Sequence, residues 1–178
     1  MVFHKIKFVM VPIFLSFPFV TTDIVDRPLK EDIPSFEENY AQAGYKSVDV
    51  AVHEFEGFCK CKVELPDNLP SGPFTHKFGR FFKDVHYNVN SSLGIRYVHN
   101  TDNQSVYKID IRPSKDKLSF TGTDYLLKDK SIAVYFDKQM FHFLAFEENG
   151  LQYLLGIHKS ISNHETPSIL VQIANSMK

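Results

Sequence analysis

From Gly44 onward, short runs rich in Val, Ile, Tyr and Phe recur between Gly, Pro, Asn and Asp punctuation. This is the pattern of an antiparallel β protein with short strands and frequent turns. Eight strands are predicted, at about 45–53, 58–65, 93–99, 104–112, 117–126, 130–136, 140–147 and 151–158. Between the second and third, residues 66–90 either carry an extra strand around Phe78–Tyr87 or form a large loop. The sharpest local signal is Phe141–Phe146, then Glu147-Glu148-Asn149-Gly150, then Leu151–Ile157. It reads as a hairpin whose Asn-Gly pair supplies positive φ. After it, Thr166-Pro167 ahead of Ser168–Ala174 predicts an N-cap and an N1 proline opening a short helix, with Ile169, Leu170 and Ile173 sharing a face. A further turn is expected at Phe36–Ala43. The predicted class is therefore all-β, an eight-stranded antiparallel up-and-down barrel with a short C-terminal helix.

The N-terminus follows another rule. His4, Lys5 and Lys7 precede an uncharged run from Phe8 to Val20, and small polar residues and then Asp23 follow it. Residues 1–22 are read as a signal peptide, too short and too proline-interrupted to span a bilayer comfortably. The expected compartment is extracellular, with no stable membrane insertion. Residues 23–35, dense in charge and proline, are read as an extended N-terminal arm, and residues 36–178 as the single barrel domain. Two sequons, at Asn90 and Asn103, are candidate glycosylation sites in such a compartment.

Composition narrows the function classes. The chain has 178 residues, 43% hydrophobic and 23% charged, with a formal net charge of −1, so it lacks the basic footprint of a duplex nucleic-acid binder. Residues Thr75–Tyr87 do interleave His76, Lys77, Arg80, Lys83 and His86 with Phe78, Phe81 and Phe82. They read as a half-buried strand with a solvated face, or as a loop at a barrel mouth whose Phe residues cover a ligand or meet a partner. The only cysteines, Cys59 and Cys61, exclude a disulfide-built scaffold. On a strand their Cα atoms stand too far apart for an easy bridge, which leaves a strained local disulfide, an intermolecular one, or free thiols. Two thiols also fall short of a zinc site. No nucleophile-elbow, zinc-protease or paired-carboxylate motif occurs, so the chain is not read as an enzyme, and no cofactor is expected.

Several small signatures in order resemble the lipocalin family. Phe36-Glu-Glu-Asn-Tyr40 leading to Gly44 is similar to the family's N-terminal turn and its Gly-x-Trp glycine, and Phe55–Cys59 to the approach to its second strand. Asp137 with Phe141 resembles the second family signature, and Tyr153–Lys159 the last strand. The chain departs from the family pattern where Tyr45-Lys46 replaces the tryptophan and Lys159 the usual arginine.

The resemblance implies a barrel holding one small hydrophobic ligand without chemistry. Its register places His142, Leu144 and Phe146 on the interior of one strand and Tyr153, Leu155 and Ile157 on that of the next, with Leu118 and Phe120 as candidates on an earlier strand. A one-residue slip would put Phe141 and Phe143 inside instead. The expected function is a secreted carrier or scavenger of a lipid, retinoid or similar molecule, with His142 or Tyr153 orienting it. The competing expectation is an extracellular interaction or matrix protein that uses the barrel as scaffold and loops such as 66–90 for protein binding.

Overall fold

The computed structural model describes residues 34–83, 91–101 and 106–177. The predicted signal peptide, most of the arm and both sequon asparagines, Asn90 and Asn103, lie outside the described residues. Two helices come first, α1 (Phe36–Gln42) and α2 (Val48–Cys59), then seven strands: β1 (His76–Phe82), β2 (Ser92–Val98), β3 (Val106–Pro113), β4 (Thr123–Leu126), β5 (Ile132–Lys138), β6 (Phe141–Glu148) and β7 (Leu151–His158). Helix α3 (Thr166–Ser176) ends the fold. The strands form one antiparallel sheet in the order β1-β2-β3-β7-β6-β5-β4.

The antiparallel β class is therefore as expected, but the sheet is not closed into a barrel and its strands do not follow chain order. The reason lies after β3. Instead of turning back in a hairpin, residues 114–122 run over β7, β6 and β5 to reach the far edge. Strands lie roughly 4.8 Å apart and extended chain rises roughly 3.3 Å per residue, so this strap can make the roughly 19 Å crossing with length to spare. The predicted strand at 117–126 is accordingly a strand only over Thr123–Leu126.

A second correction concerns 45–53 and 58–65, read as strands and found as helix α2 followed by irregular chain. Three valines gave the segment its β character, yet Val48, Ala51 and Phe55 recur at helical spacing and are all buried. Ser47 caps the helix by accepting from the Val50 N–H at 3.4 Å. The irregular region 66–90 does contain a strand, β1. The Asn149-Gly150 hairpin forms as expected, with φ of 50° and 77° at the two turn residues, whereas α3 starts one residue earlier than predicted: Glu165 and not Thr166 takes the N-cap position, and Pro167 is the second residue of the first turn.

Register fixes two faces. Paired side chains lie on the same side of a sheet, so the rows Gly79, Ile95, Ile109, Leu155, Leu144, Tyr135 and Arg80, Gly94, Asp110, Leu154, Ala145, Val134 mark opposite faces. The first face is covered by helices: Val48, Ala51 and Phe55 of α2 and Leu170, Ile173 and Ala174 of α3 join its strands in one core. Gly79 is required there, since a Cβ would stand 2.7 Å from that of Ala51. The linker between α1 and α2 wraps the β1 edge, where Lys46 and Gly79 exchange two 2.8 Å backbone hydrogen bonds that block further pairing. Helix α1 thus lies on the open face, where Tyr40 stacks on Phe78 at 4.2 Å.

Cys59 and Cys61 form a disulfide. Because they end a helix rather than sit on a strand, and Lys60 between them adopts left-handed backbone (φ 57°), their Cα atoms approach to 5.2 Å, inside the usual range. Truncating the wholly buried Phe55 to Ala should lower the unfolding free energy by about 3–5 kcal/mol. Leu126→Ala, on the exposed edge, should change it by no more than about 0.5 kcal/mol. Chemical denaturation of the two variants checks both.

Candidate functional site

The strap builds the principal concavity. Its backbone at Leu118 is held by Gln152 of β7, whose amide accepts from the Leu118 N–H and donates to the Leu118 carbonyl, both at 2.8 Å. Lys117 Nζ reaches Glu147 Oε1 of β6 at 2.6 Å, and the Phe120 ring stacks on Phe136 of β5 at 4.6 Å. Gly122 then passes so close to β5 that a Cβ would collide with the Tyr135 carbonyl. Between these anchors and the sheet runs a groove of about 400 Å³. Leu118, Phe120, Ile132, Val134 and Ala145 give it apolar walls, and Lys117, Glu147 and Gln152 a polar rim. Leu118 is 43% and Ile132 60% exposed, so apolar surface faces solvent here.

The predicted ligand residues separate into three groups. Leu118 and Phe120 line the groove on the open face, and Phe146 borders it. Leu144, Phe146, Tyr153 and Leu155 are buried with the helix-covered core, Phe146 stacking on Tyr153 at 5.3 Å. The Tyr153 hydroxyl accepts from the Glu64 N–H at 3.3 Å, and burial pushes its pKa up to about 12. These four are packed by protein. Phe141 and Phe143 lie on the open face, where the Phe143 ring fills the gap above Gly156 and Lys108 Nζ stands 4.1 and 4.7 Å from the two ring centres.

His142 falls in a different place, a polar cluster near the end of the sheet. Its Nδ1 lies 2.6 Å from Asp137 Oδ1 and 2.8 Å from the Tyr135 hydroxyl, and Lys159 Nζ is 3.9 Å from Asp137 Oδ2. Nδ1 thus sits between the carboxylate and the hydroxyl, donating to Asp137 in one tautomer and accepting from the Tyr135 O–H in the other. Desolvation first, and then the Asp137 charge, raises the Tyr135 pKa to about 12. Such a cluster can orient a hydrogen-bonding ligand; among the described residues no group of three or more metal-ligating side chains occurs.

Sequence patterning missed Gln152 and Glu147, because nothing local says that a predicted strand whose residues lie 30 and 34 positions earlier will be replaced by a strap lying across them. The groove's polar rim is the product of topology. Comparison with protein-family models, with curated proteins and with solved structures found no match for this chain. No helix among the described residues is long and apolar enough to cross a membrane.

The 2.6 Å bond from Lys117 Nζ holds the Glu147 carboxyl below its ordinary pKa. A depressed carboxylate stabilises the fold above its unfolded pKa, and that contribution is lost as pH falls through the lowered value. In Lys117→Gln the Glu147 pKa should therefore rise toward the ordinary glutamate value, read by NMR titration of its side-chain carboxyl. An unchanged value would show that the strap contact does not form in solution.

Proposed function

We propose that this protein is a secreted, non-catalytic binder of one small hydrophobic molecule, a carrier or scavenger, and that the ligand lies in the groove between the 117–122 strap and the open sheet face. The observation that carries the reading is the groove itself: about 400 Å³ of space with apolar walls, bounded by a few polar groups. Transfer of an apolar molecule from water onto Leu118, Phe120, Ile132 and Val134 supplies affinity, and Gln152, Lys117 and Glu147 give a polar end its orientation. The local disulfide supports an oxidising compartment. The lipocalin resemblance enters as part of the same proposal, for a ligand held by an antiparallel scaffold. An eighth strand closing that scaffold into the family's barrel would have to come from outside the described residues.

A second reading, an extracellular interaction protein, is favoured by the β4 edge. There Leu126 is 69% and Ile132 60% exposed beside unpaired backbone. Leu126→Lys should then abolish partner capture while leaving ligand binding alone.

The groove is tested with the neutral fluorophore N-phenyl-1-naphthylamine. The wild-type chain should bind one equivalent, and Val134→Trp, which fills the floor, should weaken binding by about tenfold or more, the effect of about 1.4 kcal/mol. Equal binding by the two proteins, or none by the wild type, sinks the reading.

A further inference from the structure

The open face carries a second pocket, remote in register from the strap. It holds about 200 Å³ at the β1–β2–β3 end, between Tyr45, Arg80 and Phe82 on one side and Arg96 and Asp110 on the other, with Ser92 and Gly94 at its base. The register sets Arg80 opposite Gly94 and Gly94 opposite Asp110, so glycine leaves an open floor between two charged side chains. A Cβ on Gly94 would stand 3.3 Å from both Arg96 Nη2 and Asp110 Oδ1, within the space those groups use.

The two arginines are held differently. Arg96 is committed: Nη2 bonds Asp110 Oδ1 at 2.7 Å and Nη1 donates to the Ile95 carbonyl at 2.8 Å. Arg80 makes no ion pair among the described residues. Its side chain lies over Gly44, where a Cβ would be 3.4 Å from Nε, and its guanidinium carbon stands 6.0 Å from the Tyr45 ring centre and 5.7 Å from that of Phe82. Two aromatic rings thus flank the guanidinium without using up its charge. With Arg96 and Asp110 neutralising one another, one positive charge remains over the pocket. Asp110 is only 22% exposed and bound to Arg96, so it is turned to its partner rather than set against an incoming anion.

We propose that this pocket binds a small organic monoanion, a carboxylate on a flat apolar body. The Arg80 fork takes the two oxygens, the geometry in which arginine surpasses lysine, and the 48% exposed Phe82 ring covers the body. One carboxylate balances the one unpaired cation. A dianion would leave one negative charge unbalanced.

Titration calorimetry of the full chain with benzoate, acetate and inorganic phosphate tests this. Benzoate should bind one to one, several-fold tighter than acetate, and more weakly as salt rises. Arg80→Gln should weaken benzoate about tenfold or more, as expected for loss of a charge-assisted hydrogen-bond pair. Arg80→Lys, which keeps the charge and loses the fork, should not restore it. Phe82→Ala should bring benzoate down to the acetate level and leave acetate unchanged. Because the naphthylamine site is separate, each variant's uptake of that dye reports that it is folded. Absence of benzoate saturation, equal affinity in Arg80→Gln, or tighter phosphate than benzoate binding overturns the proposal.

Discussion

The ladder between β3 and β7 holds the molecule together. On one side of it lies the meander β1-β2-β3, on the other the meander β7-β6-β5-β4, and the pairs from Tyr107 with Ile157 to Pro113 with Leu151 are the sheet's link between them. Each meander is local in sequence, but the seam joins residues far apart, so it carries the main entropic cost of assembling the sheet. It is made where burial is deepest: Tyr107, Ile109, Ile111, Tyr153 and Leu155 are all inaccessible or nearly so. The Tyr107 hydroxyl has no hydrogen-bond partner among the described residues, and burial drives its pKa upward. Its ring contributes packing, against Tyr97 at 5.6 Å and Phe74 at 6.5 Å.

Pairing β3 with β7 also decides where the concavities lie. Once the last strand occupies the place beside β3, the chain leaving β3 must cross the sheet, and the helix-covered face has no room for it. The crossing therefore lies on the open face and makes the groove. The same face receives α1 and the turn to α2, whose Tyr45 makes one wall of the arginine pocket. Both concavities thus arise from chain that had to pass over a sheet whose other side was already filled.

What could be read from the sequence was local. The hairpin at Asn149-Gly150 declared itself because a type I′ turn needs positive φ at two residues, and α3 because proline at a first turn costs no hydrogen bond. The register implied by the lipocalin resemblance also puts Leu144, Phe146, Tyr153 and Leu155 on one face. It could not say whether that face meets a ligand or a pair of helices. The segment Val48–Cys59 misled because β-branched valines favour strands by propensity while its burial follows a helical stripe. Leu118 and Phe120 were picked for strand positions they do not hold, and they reach the groove as parts of a strap. Arg80 was visible only as one basic residue among aromatics; what sets it apart is Gly94 across the register and Gly44 beneath it, both set by tertiary structure.

The disulfide at the end of α2 has a thermodynamic corollary. A cross-link lowers the entropy of the unfolded chain by an amount that grows with the loop it closes, and this one encloses a single residue, Lys60. It constrains the terminus of one helix and leaves the long-range order of the chain untouched. Cohesion resides in the β3–β7 ladder and the helices laid over it, so reductant acts on a local kink and the domain's persistence is decided by noncovalent packing.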